Sequence, residues 1–194
     1  NRVCLSFESS KAYFSKKTVL DVTGNPIRHQ YPPDPVCDQL MDLDWASGKR
    51  CLVFGGSQGA HAINDFIEQQ YDMILEKDLC LIHITGPSYF KKKYHQTVPE
   101  IKTNGHNKTK IVVLDYIHDM KQLYEWCDVV VSRAGATTVT EIMHFKKKSL
   151  LIPYPHAKDN HQELNAEACV KEGLAQCVKQ DQLDAEVFWG VVMG

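Results

Sequence analysis

Short apolar runs and helix-like segments alternate along the chain. Residues 3–7, 19–22, 50–54, 79–85, 111–114, 129–131, 149–152 and 174–178 are brief, β-branched-rich runs bounded by glycine, proline or polar clusters. Runs of that length and composition predict buried strands. Between them the apolar period changes to that of a helix. Ile63, Phe66, Ile67, Met73 and Ile74 predict one apolar face. Asp119 predicts a cap for a short helix burying Met120, Leu123 and Tyr124. Val139, Ile142 and Met143 mark a third helix, residues 156–173 hold a fourth, and Asp181-Gln182-Leu183 starts a last one. Alternating strand–helix units predict an α/β fold, a Rossmann-like parallel sheet with helices on both faces. Ligands then bind at the carboxyl ends of the strands.

Two of these units carry glycine at the strand–helix turn. In the stretch 128–145, three valines lead into Ser132-Arg133-Ala134-Gly135-Ala136, and Thr137 or Thr138 is placed to cap the helix. The start of that helix offers unpaired N–H groups and a partial positive charge, which suits a phosphate. Glu141 follows within two turns and has the chemistry to accept from both ribose hydroxyls. The alternative is a structural turn in which Glu141 complements the helix dipole. The other unit runs from the 50–54 strand into Gly55-Gly56-Ser57-Gln58-Gly59-Ala60. Its glycines permit close approach to phosphate and Ser57 offers a hydroxyl. It is neither GxGxxG nor a Walker A loop, and a tight turn without a ligand is the other reading.

Composition narrows the class. The 194 residues are 43% hydrophobic with a net charge of -2. That suffices for one full domain and gives no basic stripe for nucleic acid. Seven scattered cysteines without a CxxC pair predict buried free thiols in a reducing compartment. No apolar run reaches the ~18–20 residues of a spanning helix. The first residues lack an initiator Met and the last are apolar, so the sequence reads as part of a longer protein.

Other candidates are weaker. Asp42-Leu43-Asp44 spells DxD, but two carboxylates need further ligands to hold a cation. His156 and His161 match no zinc spacing, and no metal is assigned. His83 lies inside a strand and reads as a core residue. Lys91, Lys92 and Lys93 read as a solvated face.

Four strings together carry a resemblance: Thr23-Gly24-Asn25-Pro26-Ile27-Arg28; Gly55 to Ala60; Arg133-Ala134-Gly135-Ala136-Thr137-Thr138-Val139-Thr140-Glu141; and Pro155-His156 with Asp159, His161-Gln162 and Asn165-Ala166. In this order and spacing they resemble the MurG family of bacterial peptidoglycan N-acetylglucosaminyltransferases. That family moves GlcNAc from UDP-GlcNAc to lipid I, giving lipid II. The resemblance implies the C-terminal, donor-binding half of a GT-B fold, with residues 1–22 as the end of the N-terminal acceptor domain and residues 23–194 as the UDP-GlcNAc-binding domain.

It also implies roles. Arg28 points toward the uracil end and Ser57 bonds the diphosphate. Ile117 holds the uracil edge through its backbone. Ala136, Thr137, Thr138, Val139, Thr140 and Glu141 form the helix start on the diphosphate, with Glu141 on the ribose. Gln162 reaches the GlcNAc hydroxyls. The chain departs from the family pattern at His118, where Asp is common, and at Thr138, where Leu is common. No cofactor is implied. The general base, the lipid I acceptor site and the peripheral contact with the cytoplasmic face of the inner membrane belong to the other half, so no catalytic residue is assigned here. One alternative is a donor-binding subunit docked on a separate membrane chain, as in the eukaryotic dolichol-linked GlcNAc transferase. Another is a UDP-GlcNAc 2-epimerase of the same fold, which the string from Gly55 to Ala60 argues against.

Overall fold

The computed structural model describes residues 2–27, 34–95, 99–103 and 108–194. A seven-stranded sheet forms its centre. The strands are β3 (Lys49–Phe54), β4 (Leu79–Ile84), β5 (Glu100–Thr103), β6 (Thr109–Leu114), β7 (Val129–Ser132), β8 (Lys148–Leu151) and β9 (Ala175–Cys177). Their spatial order is β5-β6-β4-β3-β7-β8-β9. Every pairing is parallel except that of β5 with β6. From β3 the chain winds outward through β4 to β6, then returns to β7 beside β3 and winds the other way. β3 and β7 therefore flank the topological switch point, where open α/β sheets place their ligands.

The central strands are continuous hydrophobic runs because both sheet faces are covered. Cys51 and Val53 of β3 pack with α2 (His61–Glu68), α3 (Tyr71–Glu76), α4 (Pro87–Tyr94) and α8 (Ala185–Met193). Leu52 and Phe54 point the other way, toward α1 (Pro35–Met41), α5 (Met120–Trp126), α6 (Ala136–Phe145) and α7 (His161–Lys171). Each fully buried Val, Leu or Ile contributes about 1.5–3 kcal/mol relative to exposure. Leu52, Leu81, Ile82 and Ile111 are all fully buried.

Residues Arg2–Leu5 (β1) and Val19–Val22 (β2) form a separate two-stranded parallel sheet, joined through a 3-10 turn at Glu8–Tyr13. Phe7 packs against the α5–α6 side of the core.

Several expectations need correction. The apolar face running from Ile63 to Ile74 is two helices, α2 and α3, broken at Gln69 and Gln70, and Met73 is exposed. The break lets Tyr71 turn back onto the sheet. The β7–α6 helix is capped by the Gly135 backbone, not by a threonine hydroxyl. Five cysteines are buried and free as expected, but Cys4 and Cys177 are exposed. The final helix begins at Ala185, capped by Asp184, while Gln180–Gln182 is a 3-10 turn. No helix among the described residues is long and apolar enough to cross a membrane.

His83 is a core residue. It is fully buried between Tyr71, whose hydroxyl lies 2.7 Å from Nδ1, and Asn64, whose Oδ1 lies 3.1 Å from Nε2. Asn64 Nδ2 donates to the Thr85 carbonyl at 2.8 Å. That fixes Oδ1 as the acceptor facing the ring, so Nε2 carries the proton and Nδ1 accepts from the tyrosine. Burial pushes the imidazole down to about 3, so at neutral pH it is an uncharged bridge between α2 and α3.

Candidate functional site

Phe54 and Ser132 are paired across β3 and β7, so the two glycine turns leave the sheet side by side. Between them and the loop after β6 opens a cleft of about 380 Å³. Phe54, Gly56, Ser57, Ile84, Tyr116, Ile117, Met120, Thr137, Thr138 and Glu141 line it. Apolar side chains form its floor and polar groups converge from the two turns, the usual build of a small-ligand site.

The β7–α6 turn is held rigidly from behind. Arg133 is buried, with Nη1 donating to the carbonyls of Ile152 at 3.1 Å and Pro153 at 3.0 Å, and Nη2 to Gln180 Oε1. Its guanidinium also lies 5.5 Å from the centre of the Tyr154 ring. Burial lowers its pKa. Asn165 Nδ2 donates to the Ala134 carbonyl at 3.0 Å. The α6 ladder begins with Val139 N donating to Gly135 O at 2.9 Å. The N–H groups of the preceding helical residues have no acceptor within the helix and carry the positive end of its dipole.

Within the candidate set, Ser57, Ile117, Thr137, Thr138 and Glu141 meet in this cleft. Ala136 opens the helix beside them. Val139 is fully buried in the core, and the Thr140 hydroxyl donates back to the Ala136 carbonyl at 2.8 Å; their side chains serve the helix. Gln162 lines a neighbouring cavity of about 500 Å³ with Gly55, Gly59, Arg133, Tyr154 and Gln180. Its Oε1 accepts from the Tyr154 backbone N–H at 2.9 Å, which leaves the amide NH2 as its donor. Arg28 lies outside the described residues. Asn25 of the same string donates to the Thr137 hydroxyl at 3.4 Å.

Glu141 is 9% exposed and accepts from the Tyr124 hydroxyl at 3.0 Å. Tyr124 is fully buried and stacks on Phe145 at 5.2 Å. The carboxylate is thus aimed from the core into the cleft by a fixed phenol.

Asp34 is a second support that sequence reasoning missed. It is 6% exposed. One carboxylate oxygen caps α1 through Val36 and Cys37. The other accepts from the backbone N–H of His118 at 2.6 Å and of Asp119 at 3.3 Å. It therefore pins the loop carrying Tyr116 and Ile117. The Asp34-Pro35 pair, a cap residue before proline at the first helical position, was the available signal. Asp119 caps α5 as predicted. His118 packs edge-on against Tyr116 at 5.0 Å.

The residues read as weaker candidates sit elsewhere. The Asp44 carboxylate pairs with Lys108. His161 Nδ1 lies 2.7 Å from the Lys158 carbonyl, and His156 packs edge-on against Tyr154. Lys91, Lys92 and Lys93 are exposed, and Lys93 pairs with Glu68 at 2.8 Å.

The sequence profile of the Glycosyltransferase family 28 C-terminal domain matches residues 50–188. The chain belongs to this family. Its matched span runs from Arg50 in β3 to Phe188 in the first turn of α8 and contains both glycine turns. Relatives include the UDP-N-acetylglucosamine--N-acetylmuramyl-(pentapeptide) pyrophosphoryl-undecaprenol N-acetylglucosamine transferase of Prochlorococcus marinus (strain AS9601). It is 33% identical over 189 residues, covering 97% of this chain and 48% of that protein. A transferase of the same description from Bacillus thuringiensis (strain Al Hakam) is 32% identical, with 97% and 50% coverage. This family 28 chain thus spans about half the length of the relatives it matches. Among solved structures, Acinetobacter baumannii MurG superposes with a TM-score of 0.65 at 26% identity, over 97% of this chain and 51% of that one. The glycotransferase of kitacinnamycin superposes at 0.62 with 17% identity, a likeness of fold.

Proposed function

We propose that this chain is the donor-binding half of an inverting N-acetylglucosaminyltransferase that takes GlcNAc from UDP-GlcNAc and places it on lipid I, giving lipid II in peptidoglycan synthesis. The observation that carries the reading is the cleft at the switch point. There the unpaired start of α6, the Ser57 turn and the buried Glu141 face one space of about 380 Å³. Family 28 membership and the names of the relatives support the choice of donor.

In this reading the uracil lies against Ile117 and its neighbours, with Arg28 toward that end. The ribose hydroxyls donate to Glu141, which Tyr124 holds in place. The diphosphate rests on the N–H groups opening α6 and on Ser57, with the Thr137 and Thr138 hydroxyls beside it. Gln162 turns its amide NH2 toward the GlcNAc hydroxyls.

The acceptor hydroxyl then bonds to the anomeric carbon as the bond from that carbon to the β-phosphate oxygen breaks. Negative charge grows on the departing UDP, and donors already aimed at it stabilise that charge without reorganising. The proton of the acceptor passes to a general base, which this reading assigns to the acceptor domain, along with the lipid I site and the peripheral contact with the cytoplasmic face of the bacterial inner membrane. The separate β1–β2 sheet supports residues 1–22 as the end of that domain and residues 23–194 as the donor domain.

The test is Glu141→Ala. It removes one or two charge-assisted bonds of roughly 1.5–3 kcal/mol each. UDP affinity is expected to fall at least about tenfold while the circular dichroism of the domain is retained. Unchanged UDP affinity in the folded variant removes the ribose role.

A further inference from the structure

The loop after β6 forms one wall of the donor cleft, and most of its N–H groups are already engaged. The Tyr116 N–H donates to the Asp115 carboxylate at 2.7 Å. Those of His118 and Asp119 donate to one oxygen of Asp34, at 2.6 and 3.3 Å. Those of Lys121 and Gln122 donate to the Asp119 carboxylate at 3.0 and 3.4 Å. From Tyr116 to Asp119, Ile117 alone has an N–H with no hydrogen bond among the described residues, and its carbonyl has none either. Ile117 also lines the cleft.

The residue that sets this arrangement stands 84 positions before His118. Asp34 is 6% exposed, and its carboxylate is held among the described residues by four backbone N–H groups. Val36 and Cys37 take one oxygen at 3.1 and 3.4 Å, while His118 and Asp119 take the other. Hydrogen bonds to an ionised acceptor are short and strong, and the 2.6 Å bond to His118 is of that kind. The Cys37 thiol donates to the Asp119 carbonyl at 3.6 Å and closes the same seam.

We infer that Asp34 is a positioning residue for base selection: it fixes the Ile117 peptide against the base and keeps the neighbouring N–H groups away from it. The inference rests on the reading of this cleft as the uridine-diphosphate sugar site. Uracil presents a ring N–H beside a carbonyl oxygen, which one peptide carbonyl and one peptide N–H complement. Cytosine presents a ring acceptor beside an amino donor, so a fixed peptide meets it donor to donor and acceptor to acceptor, and unsatisfied polar groups are costly. That discrimination lasts only while the peptide cannot turn. Without Asp34 the loop can shift, and the freed His118 and Asp119 N–H groups become donors that cytosine can use. Glu141 and the start of α6 belong to the other wall and keep their hold on ribose and diphosphate.

The experiment measures UDP and CDP affinity by calorimetry in the wild-type chain and in Asp34→Asn. Asparagine caps a helix as well as aspartate does, but it has one acceptor oxygen for the two sets of N–H groups. UDP affinity is expected to fall at least tenfold and CDP affinity less than threefold. Asp184→Ala, which removes the cap of α8, is the control for lost stability and is expected to leave the ratio of the two affinities unaltered. Asp34→Ser also caps α1 and gives the same reading if the asparagine variant does not fold. Equal losses of UDP and CDP, an unchanged ratio, or a ratio that collapses equally in Asp184→Ala overturns the role of Asp34. A wild-type chain that binds UDP no better than CDP overturns the uridine reading itself, so the two failures are distinguishable.

Discussion

At Gly59 a methyl group would lie 1.9 Å from the Thr85 carbonyl oxygen, and the backbone there has φ of +76°. At Gly135 the nearest atom to such a methyl is the Thr138 hydroxyl at 3.8 Å, and φ is an ordinary −66°. Both glycines end a strand–turn–helix unit at the same switch point. The first is glycine because the protein's own β4–α4 turn fills the space and the chain must adopt a left-handed conformation. At the second, neither backbone nor packing demands glycine. The atom nearest to the open space beside it is the hydroxyl of Thr138, which lines the cleft with Glu141. The first turn is closed on the fold at Gly59, while its Gly56 and Ser57 still line the cleft, and the second is open at Gly135.

The largest effect is expected from Gly59→Ala. Positive φ costs an alanine about 1–2 kcal/mol and overpacking adds about 1–3 kcal/mol. A loss of roughly 2–5 kcal/mol in urea unfolding is expected, and a loss below about 1 kcal/mol would show that the turn relaxes freely. Gly135→Ala should reverse that pattern. Alanine is a poorer cap than glycine, so stability changes by no more than about 1 kcal/mol, while UDP affinity falls about tenfold as the methyl crowds the phosphate position. An unfolded Gly135→Ala protein, or one with unaltered UDP affinity, breaks the comparison.

Acidification acts on the His83 bridge behind the Gly59 turn. Burial holds His83 near 3 in the folded chain, below its ordinary value of 6.5. Below about pH 6.5 the unfolded chain therefore binds a proton that the folded chain refuses. Stability contributed by this group is complete above 6.5 and is lost as pH falls toward 3. The difference between wild type and His83→Gln in denaturant midpoint is expected to vary with pH across that window and to be flat above it. The smallest effect is Tyr124→Phe. Losing one hydrogen bond costs about 1 kcal/mol, and UDP affinity is expected to drop severalfold because Glu141 loses its fixed partner. A larger stability loss without any change in UDP affinity would make Tyr124 a core residue only.

The sheet was legible because parallel strands buried on both faces are written as unbroken apolar runs, as at residues 51–54 and 111–114. The antiparallel edge strand β5 and helix α4 were not, since the edge pairs along one side only and carries polar residues such as Glu100 and Lys102. The break between α2 and α3 was hidden because its cause is tertiary: Tyr71 reaching His83. In the cleft, Ser57, Thr138 and Glu141 stood in readable turns. Asp34 and Tyr124, which hold the opposite wall and the carboxylate, act across 84 and 17 residues of sequence. A pairing of that range leaves no local pattern. Gln162, singled out by its string, stands in the adjoining cavity, because α7 follows β8.

The most direct measurement is a calorimetric titration of this chain with UDP-GlcNAc, with TDP-GlcNAc as the base control. A preformed cleft predicts saturable one-site binding that prefers the uridine donor and is weakened by Glu141→Ala. A folded chain that takes up neither nucleotide sugar, or binds both equally, would contradict the claim that the open turn and Glu141 form a uridine-diphosphate sugar site.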